Sequence, residues 1–190
     1  MDKHKQQSDI LGQKGIVVWL TGLPGSGKST LATGLEGRLL EMNKLAFILD
    51  GDVLRKGLNS DLGFSDAERN ENIRRVAEVA ALFREASVIT IVAFISPFRK
   101  MREFARIRAG KEFFIEVFVK ASLATCIERD PKGMYKKAIR DQIKDFTGIS
   151  SPYEEPESPD LTIDTETLSV EESIDLLLNK ILQYTDKLPE

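Results

Sequence analysis

The chain has 190 residues, 42% of them hydrophobic and 30% charged, with a formal net charge of −3. That length suits one domain around one core, and that balance excludes a disordered chain. The slight acidic excess argues against a nucleic-acid partner, which wants a broad basic face, but leaves room for a local basic pocket around a small anion.

Residues 1–14 are polar, lack a secretory hydrophobic core and read as a flexible N-terminal tail. The cytoplasm is therefore the expected compartment. Gly15 opens the run Ile16-Val17-Val18-Trp19-Leu20, continuously apolar and β-branched, as for a strand buried on both faces. A glycine-rich turn follows, then a helix from Lys28 to about Met42 with Leu31, Leu35 and Leu39 on one face. Leu45–Leu49 reads as a second strand. Ser65 is placed to cap a long helix reaching about Ala86, with Glu68 in the capping-box position. Val88–Phe94 is a third strand, Pro97 to about Arg108 a basic helix, and Phe113–Val119 a fourth strand. Ser122 opens a short helix to Arg129 that carries the one cysteine, Cys126, read as a buried structural thiol. Leu161–Ile163 is a last short strand, and Val170–Tyr184 a closing amphipathic helix. No apolar run approaches the roughly 20 residues that cross a bilayer, so no membrane partner is expected.

This regular alternation implies right-handed βαβ crossovers. The expected fold is α/β: a three-layer P-loop fold with a mostly parallel five-stranded sheet and helices on both faces. The expected domain runs over residues 15–190. Asp130 to Asp160 is polar, holds four prolines and shows little apolar periodicity beyond one short helix. Such a segment in a small domain is often an active-site lid, here about residues 130–160.

Gly22-Leu23-Pro24-Gly25-Ser26-Gly27-Lys28-Ser29 matches G-x-x-x-x-G-K-[ST] between a buried strand and a helix. The glycines let the backbone curl until successive N–H groups face phosphate oxygens, and the following helix adds its positive end. In that setting Lys28 reaches the β- and γ-phosphates of ATP, and the Ser29 hydroxyl serves Mg²⁺. Strand two ends in Leu49-Asp50-Gly51-Asp52, at the edge where parallel sheets bind ligands. One of the two carboxylates could hold Mg²⁺; one could take a proton from an attacking hydroxyl. Ser96, after strand three, either touches phosphate or substrate or simply caps the next helix. Arg69, Asn72 and Arg75 share a helical face that either grips an anion or is a solvated face paired with Glu68 and Glu71.

Several of these segments together resemble the adenylylsulfate (APS) kinases. They include Leu49-Asp50-Gly51-Asp52-Val53-Leu54-Arg55, Leu62-Gly63-Phe64-Ser65, Glu71-Asn72-Ile73-Arg74-Arg75 and Ile95-Ser96-Pro97. The richest are Arg129-Asp130-Pro131-Lys132-Gly133-Met134-Tyr135-Lys136-Lys137-Ala138, Phe146-Thr147-Gly148-Ile149 and Pro152-Tyr153-Glu154. The resemblance implies MgATP-dependent phosphorylation of the 3′-hydroxyl of adenosine 5′-phosphosulfate, giving PAPS. It extends the nucleotide loop from Gly22 to Thr30 and matches Asp52, Arg55, Phe64, Arg69, Asn72 and Phe146 to the family's APS-binding positions. Ile95, Ser96 and Lys132 join that set. Phe64 and Phe146 would sandwich the adenine, since aromatic faces stack on any base. Ser29 and Asp50 would serve Mg²⁺, while Lys28, Asp52 and Ser96 would be catalytic. At Ser96 the family's role is a phosphoenzyme serine, although direct in-line transfer needs only positioning and charge stabilisation.

Departures from the family pattern are Pro24 for Ser, Val53 for Asn, and Lys120 and Ser122 for Asp and Pro. Ile139-Arg140-Asp141-Gln142 replaces an R-x-G-x run. A homodimer is implied by the resemblance alone, and association with a separate ATP sulfurylase stays open. Two rival readings are a P-loop kinase for another nucleotide-linked molecule and a catalytically silent ATP-binding module.

Overall fold

The β-branched run after Gly15 becomes the central strand of the sheet, as its lack of polar residues demands. In the computed structural model, which describes residues 3–185, five strands are β1 (Ile16–Thr21), β2 (Ala46–Asp50), β3 (Ile89–Ala93), β4 (Phe114–Lys120) and β5 (Leu161–Asp164). Their order is β2-β3-β1-β4-β5, with every pairing parallel. All six residues of β1 are buried.

Pleating sends alternate side chains to opposite faces. Ile16, Val18 and Leu20 meet α2 (Lys28–Glu41) and α8 (Val170–Thr185) in one cluster. There the expected stripe of Leu31, Leu35 and Leu39 is buried. Val17 and Trp19 face the other way, against α4 (Asp66–Glu85) and α5 (Arg99–Ala109). Trp19 stacks on Phe114 at 5.7 Å between ring centroids. Burying each such large apolar side chain contributes about 1.5–3 kcal/mol. The three layers therefore arise from two hydrophobic clusters on one sheet.

Three short helices complete the fold: α3 (Gly51–Leu54), α6 (Leu123–Arg129) and α7 (Met134–Ile139). The long helix starts as its sequence demands. Ser65 accepts from the Glu68 N–H, and Glu68 accepts from the Ser65 N–H at 3.1 Å. Cys126 is buried, as read.

The N-terminal segment departs from the expected tail, because Lys3–Leu11 forms a helix, α1. The reason is a long-range anchor. The Gln13 amide donates to Leu45 O and Ser87 O and accepts from the Leu45 N–H. Residues 1 and 2 of that tail, and 186–190 at the expected domain end, lie outside the described residues. Among the described residues no helix is long and apolar enough to cross a membrane.

Candidate active site

The loop between β1 and α2 curls as its glycines allow. Gly27 sits at φ 104°, in the left-handed region. At Gly22 a Cβ would meet Val119 O at 2.3 Å, so only glycine lets the loop pass this close to β4. Lys28 folds back into the curl and donates to Gly22 O at 2.9 Å and Leu23 O at 2.8 Å. Burial of this ammonium lowers its pKa to about 8. A third, longer bond runs to Ser26 Oγ at 3.5 Å, so this buried cation is held by neutral oxygens alone and is prepared for an anion.

The acidic turn after β2 lies beside this loop. Ser29 Oγ donates to Asp50 Oδ2 at 2.8 Å. Asp50 Oδ1 in turn accepts from the backbone N–H groups of Asp52 and Val53, capping α3 and fixing the carboxylate. Asp52 is exposed and paired with Lys132, which arrives from the turn after α6. The two turns are thus side by side, with a hydroxyl and two carboxylates at the mouth of the phosphate loop. Oxygen donors of this kind suit magnesium, which keeps most of its shell for water and nucleotide phosphate.

The arginine face of α4 divides. Arg75 goes to acids: it bonds Asp61 through both oxygens at 2.6 and 2.8 Å, and Glu71 at 2.9 Å. It therefore follows the paired-surface alternative. Arg69 is buried and meets only neutral acceptors. It donates to Phe64 O at 2.8 Å, Thr147 Oγ1 at 2.8 Å and Asp145 O. Arg55 donates to Leu62 O and Gly63 O and lies 4.2 Å from the Phe64 ring centroid. Its pKa is lowered, first by burial and then by Arg69. Among the described residues neither Arg55 nor Arg69 has a salt bridge to a carboxylate. Two guanidiniums without a direct carboxylate partner, Arg55 with Glu68 and Asp52 nearby, therefore lie beside an exposed Phe64, which is 57% accessible. Asn72 is buried and accepts from Asn59 Nδ2 at 2.7 Å. Phe146 meets Tyr135 edge-on at 5.0 Å and stands next to Thr147, one of the Arg69 acceptors.

Ser96 sits at φ 41° with its side chain buried. Its hydroxyl accepts from Trp19 Nε1 at 3.0 Å and donates toward Phe94 O at 3.4 Å. It does not cap the next helix, whose N-cap is Phe98. Ile95 precedes it in the same turn at the carboxyl end of β3.

A family model for adenylylsulphate kinase matches residues 14–164. The chain belongs to the adenylylsulphate kinase family. The adenylyl-sulfate kinase of Clostridium acetobutylicum is 52% identical over 96% of this chain and 90% of its own. That of Phocaeicola vulgatus is 50% identical over 98% of this chain and 92% of its own. Among solved structures, the Mycobacterium tuberculosis APS kinase CysC in complex with AMPPNP and APS superposes with a TM-score of 0.87. It is 44% identical, covering 90% of this chain and 99% of that one. A gluconokinase from Sinorhizobium meliloti, at 14% identity and TM-score 0.60, shares the fold alone.

Other residues tie the site's segments together through long-range polar bonds. Tyr135 donates to Pro24 O at 2.9 Å, so the segment after α6 braces the phosphate loop directly. Arg129 bonds both oxygens of Thr165, and Thr165 Oγ1 donates to Ser26 O at 3.1 Å. Asn59, wholly buried, orients Asn72. Arg129 and Tyr135 stand in the family-like run, but their partners, like the roles of Thr165 and Asn59, are not legible in the sequence because the bonds are long-range. Three of the departures have a local setting: Lys120 pairs with Asp164 at 3.0 Å, Ser122 caps α6, and Val53 is exposed.

Proposed function

We propose that this protein transfers the γ-phosphoryl group of MgATP to the 3′-hydroxyl of adenosine 5′-phosphosulfate, releasing ADP and PAPS. The carrying observation is the Ser29–Asp50 contact. It sets the acidic turn against the phosphate loop, so a nucleotide phosphate and an acceptor hydroxyl fit into one cleft.

Roles follow from placement. The loop amides from Gly22 to Thr30 and Lys28 hold the ATP phosphates, and nucleotide phosphate replaces the carbonyls that Lys28 now bonds. Ser29 and Asp50 are the residues placed to hold magnesium, which neutralises charge on the β- and γ-oxygens when bound. Asp52 orients the acceptor hydroxyl and takes its proton. Lys132 brings a further cation to the same point. Arg55 and Arg69, with no salt bridge among the described residues, attract the phosphosulfate anion, while Phe64 and Phe146 stack on its adenine. The Asn72 amide, held by Asn59, adds a polar contact.

Ser96 takes a positioning role rather than that of a phosphoenzyme. Its hydroxyl is already used by Trp19 inside the protein, and in-line transfer between two bound substrates needs no covalent carrier. The segment over residues 130–160 acts as a lid, since Lys132, Tyr135 and Thr147 each reach the cleft from it. Its closure would exclude water and limit ATP hydrolysis. A homodimer is the assembly proposed, and association with an ATP sulfurylase as a separate chain is compatible with this site.

The test is ADP release that depends on adenosine 5′-phosphosulfate, with the product identified by mass as PAPS. ADP release without such dependence, or a product phosphorylated elsewhere, would refute the assignment.

A further inference from the structure

The Ile95–Ser96 turn is held more firmly than the five-residue loop between β3 and α5 needs. Its left-handed Ser96 is a conformation that non-glycine residues avoid, so neighbouring bonds must fix it. Both carbonyls of the turn are occupied. Arg102, almost fully buried, donates to Ser96 O at 2.7 Å while its Nε bonds Glu116 at 2.7 Å. The Ile95 carbonyl is taken by Thr21, whose Oγ1 donates to it at 2.7 Å.

Thr21 is completely buried at the end of β1, one residue before the phosphate loop. Its hydroxyl also lies 3.0 Å from the Tyr153 hydroxyl. A threonine has one hydroxyl proton, and Ile95 O can only accept. The Thr21 proton is therefore spent on Ile95, and Tyr153 must be the donor to Thr21. Burial pushes the Tyr153 phenol up to about 12, so it remains a donor at neutral pH. The direction of the chain is fixed: Tyr153 to Thr21 to Ile95 O. No cis peptide occurs among the described residues. In a trans peptide the Ser96 N–H points opposite to the clamped Ile95 carbonyl, away from Thr21.

We propose that Thr21 and Tyr153 are positioning residues for the acceptor substrate: their buried hydroxyl relay fixes the Ile95–Ser96 peptide, against which adenosine 5′-phosphosulfate binds. This rests on the reading that the Ile95–Ser96 turn belongs to the acceptor site. The relay also couples the segment 152–154 to the ends of β1 and β3, so three chain segments share one adjustment.

Steady-state ADP release is measured with either substrate varied for wild type, Thr21→Val, Thr21→Ser and Tyr153→Phe. Phe64→Ala serves as an independent reference for the acceptor site. Thr21→Val keeps the shape and removes the relay; Tyr153→Phe keeps the ring packed on Phe118. Each raises the APS KM about tenfold and leaves the ATP KM within about twofold, the scale of one buried hydrogen bond lost. Thr21→Ser restores the wild-type APS KM. An unchanged APS KM in Thr21→Val and Tyr153→Phe overturns the proposal, even if both variants melt lower. An equal rise in both KM values overturns it too, placing the effect in the adjacent phosphate loop. So does a Thr21→Ser variant as impaired as Thr21→Val, since the methyl and not the hydroxyl would then matter. If Phe64→Ala raises the APS KM while the relay variants do not, the relay alone falls. If none of them does, the acceptor-site reading falls with it. Should Thr21→Val not fold, Tyr153→Phe decides by the same criteria.

Discussion

Lys28 offers a quantitative test of the phosphate loop. Burial lowers its pKa from 10.5 to about 8, so the free protein carries a half-charged lysine near pH 8. Bound phosphate favours the ammonium and raises that pKa again. If only the charged form binds, the occupied fraction of competent protein falls from about nine-tenths at pH 7 to about one-tenth at pH 9. The affinity for a non-hydrolysable MgATP analogue should therefore drop about tenfold across that interval, and binding at pH 8 should take up about half a proton. Calorimetry in two buffers of different ionisation enthalpy reads both quantities. The stability sign also follows. Between about pH 8 and 10.5 the folded chain has released this proton and the unfolded chain retains it, so stability from this group rises with pH. The drop from 10.5 to about 8 corresponds to about 3 kcal/mol at most. Lys28→Met should remove both the affinity step and this alkaline gain. A wild-type affinity flat from pH 7 to 9, with no buffer dependence of the heat, would show that Lys28 is charged throughout and that the loop is not poised in this way.

Asp52→Asn should lower kcat by about 10²-fold or more while leaving analogue binding nearly intact, the signature of a lost general base; single-turnover assays with near-normal rates would remove Asp52 from that role. Phe146→Ala should raise the KM for APS well above any change in that for ATP, as expected for one stacked base lost; equal changes would mean that the ring supports the fold instead, through Tyr135. Ser65→Ala deletes the cap of α4 and should cost about 1 kcal/mol of stability, read as a melting temperature lowered by a few degrees. Because Phe64 and Arg69 flank that cap, the same variant should also weaken APS binding modestly; a stable variant would mean that the Ser65–Glu68 exchange is not maintained in solution.

The legible parts of the chain were those in which local chemistry and long-range structure agree. Ile16 to Leu20 could only be a strand with both faces covered, and Ser65 with Glu68 announces a helix start by a pairing three residues apart. The phosphate loop is equally local, since its conformation is dictated within eight residues. Residues 130–160 resisted reading because their order comes from polar bonds to distant elements. Arg69 reaches Asp145 and Thr147, Arg102 reaches Glu154, and Tyr135 reaches Pro24. No periodicity encodes such contacts. The N-terminal helix was missed for the same reason, since Gln13 holds it through Leu45 and Ser87.

Asn43 and Ser87 turn left-handed before β2 and β3, at the far end of the sheet, but several other breaks with local preference lie at the cleft. Ser96 and Asp145 hold left-handed backbone without being glycine, Lys28 is buried with no acid partner at bonding distance, and Arg69 is buried against neutral oxygens. Each of these costs stability in isolation, and strained or uncompensated groups persist where surrounding bonds over-determine them. Lys28 and Arg69, two buried cations with no salt bridge among the described residues, describe a cleft that is electrostatically incomplete until two anionic substrates enter it. Phosphoryl transfer between two nucleotides supplies those anions, and the stability forgone in the empty protein is recovered as differential binding when both are present.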